Sequence, residues 1–469
     1  MRLVGERFDL VVLGGGSATR DAANMAMRDY DARVALVERE RWGGSCPNVA
    51  CSPTKAYLVA AELAHDVNGR APVLGIETGP AQVDLARVRA WKESLKRSQE
   101  EWVRRLEAAG ITAISGQATF TGPHTLRVGE RELEADRILI ATGSRTALPP
   151  VEGIDEIDWL DHVSALDLTE VPRSLLVVGA GAVGLEFGQM FARFGARVRI
   201  VDAAERIAPL ADAEASATLA AAFEAEEIEL ATNVFVQRLR QEGDEVVATI
   251  APRDGSDPYE RRAERVLLAS GRVPNIEELD LDVPGVETTN GGIAVDEHLR
   301  TSAPGIWAAG DVTAVAQFTP IAQYQARVAV ADMFEQDAAA ADYSVLPIAI
   351  FTDPELGGVG LTEEQAREGH DVGVVRNDRV KRFQFVGAEH GLFKVVFDRG
   401  TRKVLGIHVV SRSASEIVQG FSLGLRLDAT VDDLAAMHHV FPTFGEGVKA
   451  AAERAVPSMA DLVDSAFMD

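Results

Sequence analysis

Residues 9–38 read DLVVLGGGSATRDAANMAMRDYDARVALVE, and residues 174–202 read SLLVVGAGAVGLEFGQMFARFGARVRIVD. The two stretches are copies of one plan. Each begins with a short apolar, β-branched run and passes through a glycine cluster. Each continues into an alanine-rich stretch of helical periodicity. Each then closes a second apolar run with an acid, Glu38 in the first copy and Asp202 in the second. This is the strand–turn–helix–strand pattern of dinucleotide binding. The spacing has a physical reason. One glycine lets the chain turn sharply after the strand, and the next lets backbone approach a pyrophosphate. The helix start then offers unpaired N–H groups and a positive dipole end. The acid accepts hydrogen bonds from ribose hydroxyls. The first copy has Gly14 and Gly16 but Thr19 where a third glycine is expected, which predicts slightly relaxed helix–strand packing. The second has Gly179, Gly181 and Gly184, a full match. Two units predict two nucleotides, most simply FAD and a nicotinamide cofactor. Asp202 suits the free 2′-hydroxyl of NAD and repels a 2′-phosphate. Arg206 is close enough to offset that repulsion, and the balance favours NADH over NADPH.

Three further apolar runs, ILIATGS (138–144), VLLASGR (266–272) and IWAAGDV (306–312), read as buried strands ending in small-residue turns. Asp311, just after Gly310, is placed either to bind a sugar hydroxyl or to cap a following helix. From about residue 345 the texture changes. The strands LFKVVFD and VLGIHVV are followed by the helical stretches SEIVQGFSLGLRL and DDLAAMHH, which predicts a separate α+β domain. Pro149-Pro150 and Pro172 mark the way into the second nucleotide unit. The fold class is therefore α/β, with two Rossmann-like dinucleotide-binding domains and a C-terminal α+β domain, which the family resemblance described below makes a dimerisation domain. That resemblance sets the expected boundaries at 1–150 for FAD, 151–272 for NAD(P), 273–343 for a central segment completing the FAD site, and 344–469 for the interface domain.

Bulk properties narrow the function. Lysine and arginine number 47 against 72 acids, a formal charge of −25, which argues against nucleic acid and against anionic lipid as partners. No apolar run reaches the ~18 residues of a membrane span. The start, MRLVGERFDLVVLGGG, reads as a strand rather than a signal peptide. Cys46 and Cys51 are the only cysteines, in GGSCPNVACSPTK at 43–55. Such a pair in a reducing cytosol points to redox or metal chemistry rather than a structural bridge, and the expected location is cytoplasmic. Pro47 suits a first helical turn and would set Cys46 at a helix N-terminus, where the dipole favours a thiolate. At this spacing a disulfide needs a distorted turn, so it would be labile. Zinc needs two more ligands than the pair supplies, and no metal site is expected.

GGSCPNVACSPTK resembles the redox-active segment of the class I pyridine nucleotide–disulfide oxidoreductases, a family that includes dihydrolipoamide dehydrogenase, glutathione reductase and mercuric reductase. The resemblance extends through both glycine units, ATGS, ASGRVPN, WAAGDV, FTDPELGGVG and the C-terminal domain. It implies an FAD-dependent enzyme. It implies FAD near Gly14, Gly16, Glu38 and Asp311 and a nicotinamide cofactor near Gly179, Gly181 and Asp202, with Ser17, Gly44, Lys55, Thr142, Gly143, Gly184, Gly271, Arg272 and Gly310 as further cofactor-binding residues. It implies that Cys51 faces the flavin, that Cys46 attacks the substrate, and that Lys55 lies by the flavin paired with Glu186. Without the resemblance, Glu186 reads as an ordinary surface charge on a helix. It also implies a homodimer whose active site is shared across the interface.

One departure matters. The family usually carries His-Pro-Thr-x-x-Glu near the C-terminus, the histidine moving protons for the substrate-attacking thiol and the glutamate orienting it. Here residues 438–447 read HHVFPTFGEG. Pro442, Thr443 and Glu446 keep the register, and Phe441 takes the histidine's place. His438 and His439 read as helix-end residues favoured by the dipole, with His439 as a candidate substitute base. A phenylalanine moves no protons, so ordinary disulfide reduction is expected to be poor. The expected reaction passes electrons from NAD(P)H through flavin and the Cys46–Cys51 pair to a small thiophilic, metal or quinone acceptor. A mercuric reductase-like activity fits, although such enzymes typically carry a second C-terminal cysteine pair and this chain ends VDSAFMD. Reductive C–S cleavage like that of 2-oxopropyl-coenzyme M oxidoreductase/carboxylase also fits. That enzyme has a phenylalanine at this position but a histidine where Glu446 stands. A third alternative is a redox-sensing flavoprotein of weak catalysis.

Overall fold

The computed structural model describes residues 5–289, 291–366, 368–456 and 459; the stretch VDSAFMD lies outside them. The chain divides into two compact units. One comprises the chain up to Thr54 with Trp91–Ala147 and Gly271–Asp342; the other comprises Lys55–Ala90, Leu148–Ser270 and the chain from Tyr343 onward. The passage at Ala147 and Leu148 falls just before Pro149-Pro150.

The first unit is built on a seven-stranded sheet. The strand Glu6–Leu13 lies between Val34–Glu38 and Arg131–Ile140, parallel to both. Ile306–Ala308 also runs parallel to Arg131–Ile140. Parallel strands are covered on both faces and so read as unbroken apolar runs. Accordingly Leu10, Val11, Val12 and Leu13 are all buried. The helix Ser17–Tyr30 uses its alanines to pack closely: Ala18, Ala22, Ala23 and Ala26 are buried against Leu10, Val12 and Leu36.

The second unit repeats the plan with a four-stranded parallel sheet in the order Glu229–Ala231, Arg197–Val201, Ser174–Val178, Arg265–Leu268. The charged stretch with alternating apolar residues before VLLASGR forms an antiparallel sheet of Val234–Glu242, Glu245–Pro252 and Tyr259–Ala263. The C-terminal stretch folds into a five-stranded antiparallel sheet, ordered Ile348–Ile350, Glu355–Gly360, Val404–Ser411, Leu392–Asp398, His370–Arg376. The helices Ala414–Arg426 and Glu446–Arg454 pack on it through Val418, Val448 and Ala451. Both nucleotide units and the α+β stretch are thus present as the sequence predicts. None of the described helices is long and apolar enough to cross a membrane.

Candidate active site

The two glycine turns match atom for atom. A Cβ on Gly14 would stand 2.3 Å from the Ala141 carbonyl oxygen, and a Cβ on Gly179 would stand 2.3 Å from that of Ala269. Ala141 opens the run Thr142-Gly143 and Ala269 opens Ser270-Gly271, so each turn is pressed against the end of its neighbouring strand. Both turns need glycine, with φ of +122° and +114°. The third position differs as the sequence indicates. A Cβ on Gly184 would meet the Gly179 oxygen at 1.8 Å. Thr19 fits a side chain there, buried, with its hydroxyl lacking a hydrogen-bond partner.

The first turn forms a cradle of bare backbone. Gly16 is the N-cap of the helix that starts at Ser17, and no side chain caps it. Gly44 stands against Gly16, where a Cβ would come within 2.5 Å of the Gly16 Cα. Glu38 ends its strand and accepts the N–H groups of Glu40 (2.7 Å) and Arg41 (3.0 Å) on Oε1. Across the sheet, the Ser144 hydroxyl donates to Asp311 Oδ2 at 2.5 Å, and Arg272 donates to Ser144 Oγ at 2.8 Å and to its carbonyl at 2.7 Å. Arg272 also lies 3.6 Å from Asp311. Asp311 is therefore not a helix cap: it is the first residue of the short helical turn Asp311–Thr313, whose N-cap is Gly310, and the next helix begins at Thr319. Gly310 donates its N–H to buried Gln325 at 2.7 Å. Thr142 and Asn275 exchange bonds, hydroxyl to carbonyl at 2.7 Å and amide to carbonyl at 3.0 Å, and Gly143 accepts the Asn275 N–H at 2.9 Å. A side-chain-free, donor-rich turn closed by an acid fits a pyrophosphate-bearing cofactor. Ser144 and Asn275, which support it, end the motifs ATGS and ASGRVPN without being singled out by them, and Gln325 carries no sequence signal of its own.

The cysteine segment corrects one expectation. Cys46 sits in a single helical turn, Ser45–Asn48, too short to carry an appreciable dipole. The long helix Cys51–His65 starts at the other cysteine. Pro47 does sit in a helical turn, as expected, but that turn stops. Asn48 ties it back, donating to the carbonyls of Trp42 (3.0 Å) and Gly44 (2.7 Å). Cys51 is exposed, with Sγ 3.7 Å from Thr319 Oγ1, and Cys46 is half-buried.

In the second unit, Lys55 Nζ donates to both carboxylate oxygens of Glu186, at 2.8 and 3.0 Å. Glu186 Oε1 also accepts the Phe351 N–H at 3.0 Å, and Nζ stands 4.4 Å over the Phe351 ring. Glu186 is 5% exposed, not the surface charge its local sequence suggests. Every residue of its helix from Gly184 to Phe191 is buried, so no face is left for a solvated acid and a partner is required. Asp202 Oδ2 accepts the Ala180 N–H at 2.5 Å and Oδ1 accepts the Ala204 N–H at 2.6 Å, which fixes the acid beside the second turn. Gly181 is the uncapped N-cap of that helix.

Near the C-terminus, Glu446 opens the helix Glu446–Arg454 and its carboxylate accepts the Thr443 N–H at 2.8 Å. The Thr443 hydroxyl donates to the Val440 carbonyl at 2.9 Å. Phe441 is 71% exposed on the single chain. The preceding helix, Val431–Ala436, ends before His438 and His439, so neither is a helix-end residue. His439 instead stacks on Phe421, ring centroids 6.1 Å apart, with Nδ1 3.3 Å from the Met437 carbonyl.

The sequence profile described as pyridine nucleotide-disulphide oxidoreductase matches residues 8–326, and the dimerisation-domain profile of the same group matches residues 346–452. The chain belongs to this family. It is accordingly an FAD-dependent enzyme of the pyridine nucleotide–disulfide oxidoreductase type, working with NAD(P)H. Among its relatives, the mercuric reductase of Streptomyces lividans is 34% identical over 97% of this chain and 98% of its own length. The dihydrolipoyl dehydrogenase 3 of Pseudomonas aeruginosa is 35% identical over 95% and 97%. Among solved structures, LpdA from Mycobacterium tuberculosis superposes with a TM-score of 0.85 at 26% identity, covering 96% of this chain and all of that one. The Cu(II) complex of the HOCl-induced flavoprotein disulfide reductase RclA from Escherichia coli gives 0.83 at 27% identity, covering 95% and 99%.

Proposed function

We propose that this oxidoreductase passes electrons from NAD(P)H, through the Cys46–Cys51 pair, to a small thiophilic acceptor, foremost a soft metal ion. The carrying observation is Phe441, set between Val440 and Pro442 in register with Glu446. Proton demand separates the acceptors. Reducing a disulfide to two thiols consumes two electrons and two protons, and the departing thiolate needs a proton delivered to it, a service worth roughly 10²–10⁴-fold. Reducing Hg²⁺ to Hg⁰ consumes two electrons and no proton, as does reducing two Cu²⁺ to two Cu⁺; in either case the dithiol returns to the disulfide and releases two protons to solvent. A phenylalanine does not hinder the second reaction. Thiolates are soft ligands suited to such ions. The relative named as mercuric reductase supports this acceptor class, and the neighbour described as a Cu(II) complex shows that a protein of this fold binds Cu(II).

The site residues have distinct parts in this reading. FAD, when bound, accepts hydride from the nicotinamide and makes the electron pair available to the cysteines. Gly14, Gly16, Ser17 and Gly44 would hold its pyrophosphate, Glu38 a ribose, and Thr142, Gly143, Gly271, Arg272, Gly310 and Asp311 the rest. Gly179, Gly181, Gly184 and Asp202 would hold the nicotinamide dinucleotide. Lys55 supplies fixed positive charge where negative charge arrives with the hydride, and Glu186 fixes the lysine. Cys51 passes electrons on and Cys46 meets the acceptor. With Glu446 engaged by the Thr443 N–H, no imidazole is there to orient.

The domain plan 1–150, 151–272, 273–343 and 344–469 belongs to this reading, as does a homodimer in the cytoplasm. The exposed Val440, Phe441, Leu423 and Leu427 form apolar surface that a second copy would cover. The aprotic Phe441 equally favours reductive C–S cleavage of a thioether ketone. An acceptor screen under NADH and NADPH, covering Hg²⁺, Cu²⁺, disulfides, quinones and thioether ketones, tests the reading. Metal turnover is expected to lead and to vanish in Cys46→Ser, while NADH still bleaches the flavin. Disulfide turnover in the lead would overturn it.

A further inference from the structure

The choice between NADH and NADPH is made at the ribose carrying, or lacking, a 2′-phosphate. Asp202 is held beside the Gly179–Gly184 turn by two backbone N–H groups. Between Asp202 and Asp212 the chain offers one cation, Arg206, preceded by another acid, Glu205. Arg206 does not turn to Asp202. Its guanidinium is taken by Glu364, from the turn after the strand Glu355–Gly360, with Nη1 to Oε1 at 3.1 Å and Nη2 to Oε2 at 2.5 Å. This two-point fork is the geometry by which arginine would otherwise grip a phosphate. Among the described residues, Arg206 Nε is buried without a hydrogen-bond partner, so Glu364 is the group that engages this guanidinium.

Glu364 is itself held. Thr362 and Gln365 exchange bonds across the turn, N–H to Oε1 at 3.1 Å and N–H to Oγ1 at 3.2 Å. The adjacent Glu363 donates its N–H to buried Asp212 at 3.2 Å and pairs with buried Lys394. Lys394 also reaches Asp212 at 3.1 Å and Glu214 at 3.5 Å. The turn is therefore fastened to buried charge, and the carboxylate next to the fastening meets Arg206.

We propose that Glu364 is a specificity-determining positioning residue: by engaging Arg206 it withholds the guanidinium from a 2′-phosphate and makes the site selective for NADH. This rests on the reading that the dinucleotide binds at the Gly179–Gly184 turn. Because arginine–phosphate bonds are charge-assisted and bidentate, releasing Arg206 is expected to raise kcat/KM for NADPH about tenfold, mainly through KM.

The test uses the full-length, FAD-replete enzyme, with kcat and KM measured for both coenzymes and anaerobic flavin bleaching followed by absorbance. The wild type is expected to prefer NADH. Glu364→Gln should improve NADPH about tenfold while NADH stays within about twofold, Glu364→Asp should stay nearer the wild type, and Arg206→Ala added to Glu364→Gln should remove the gain. Arg206→Ala alone should leave NADPH unchanged, because its guanidinium is already withheld. A tenfold NADPH loss in that variant overturns the proposal, as does a parallel change for both coenzymes in folded Glu364→Gln. Failure of both coenzymes to bleach the wild-type flavin would instead bring down the nucleotide reading on which it stands.

Discussion

Replacing Glu186 with glutamine separates its charge from its shape. The side chain keeps its volume in a buried helix, and its amide oxygen can still accept the Phe351 N–H now bonded at 3.0 Å. What goes is the carboxylate that meets Lys55 Nζ at 2.8 and 3.0 Å. Full removal of one partner from a buried pair costs about 3–5 kcal/mol. The Lys55 side chain is 36% exposed, however, so solvent screens part of this and about 2 kcal/mol is the appropriate figure. If the same interaction holds the ammonium where charge arrives with the hydride, 2 kcal/mol corresponds to about a 30-fold slower flavin reduction. Anaerobic stopped-flow mixing of FAD-replete Glu186→Gln with NADH reads that rate, and urea unfolding reads the stability. A variant that unfolds about 2 kcal/mol more easily yet bleaches at the wild-type rate would refute the positioning argument and leave the pair a purely structural one.

Two further outcomes follow from packing and charge. Gly184→Ala, whose new Cβ would meet the Gly179 oxygen at 1.8 Å, should lose about 2 kcal/mol in urea unfolding and raise KM for NADH while leaving FAD content unchanged. Burial would raise the Asp212 carboxyl, but His408, the Glu363 N–H and Lys394 outweigh it and hold the group below the ordinary carboxylate value. Its folded pKa thus lies below the unfolded one, so the stability it contributes is present above about pH 4 and is lost as pH falls further. Lys394→Met should shrink that acid-side contribution in unfolding curves from pH 7 to pH 3 without abolishing it, since His408 and the Glu363 N–H remain, and should destabilise the neutral protein by about 3 kcal/mol.

What was legible in the sequence was local. Gly14, Gly16, Gly179, Gly181 and Gly184 announced their turns because a backbone that must approach another backbone excludes side chains. The buried parallel strands announced themselves as unbroken apolar runs. What escaped depended on distant packing. Nothing near Glu186 says that its helix is buried on every side, so the acid looked like a surface charge. Asp311 looked equally like a cap because its partner, Ser144, is far away in sequence. LFKVVFD read as an ordinary strand, yet it buries Lys394 among acids supplied by two other segments. Pro47 predicts the helical turn that holds Cys46 but does not fix how far it runs, so its stop at Asn48 is not legible in the sequence. His438 and His439 were misplaced because helix ends carry weak local signals.

The central claim is that this site lacks a proton donor for a leaving thiolate. The measurement is NADH-driven turnover of a cyclic disulfide and of Hg²⁺ by the wild type and by Phe441→His. The account predicts that the histidine raises disulfide turnover by roughly 10²-fold, the lower end of what general acid–base catalysis supplies, while Hg²⁺ turnover stays level. A wild type already fast on the disulfide, or a folded, flavin-replete Phe441→His with no gain, would contradict it.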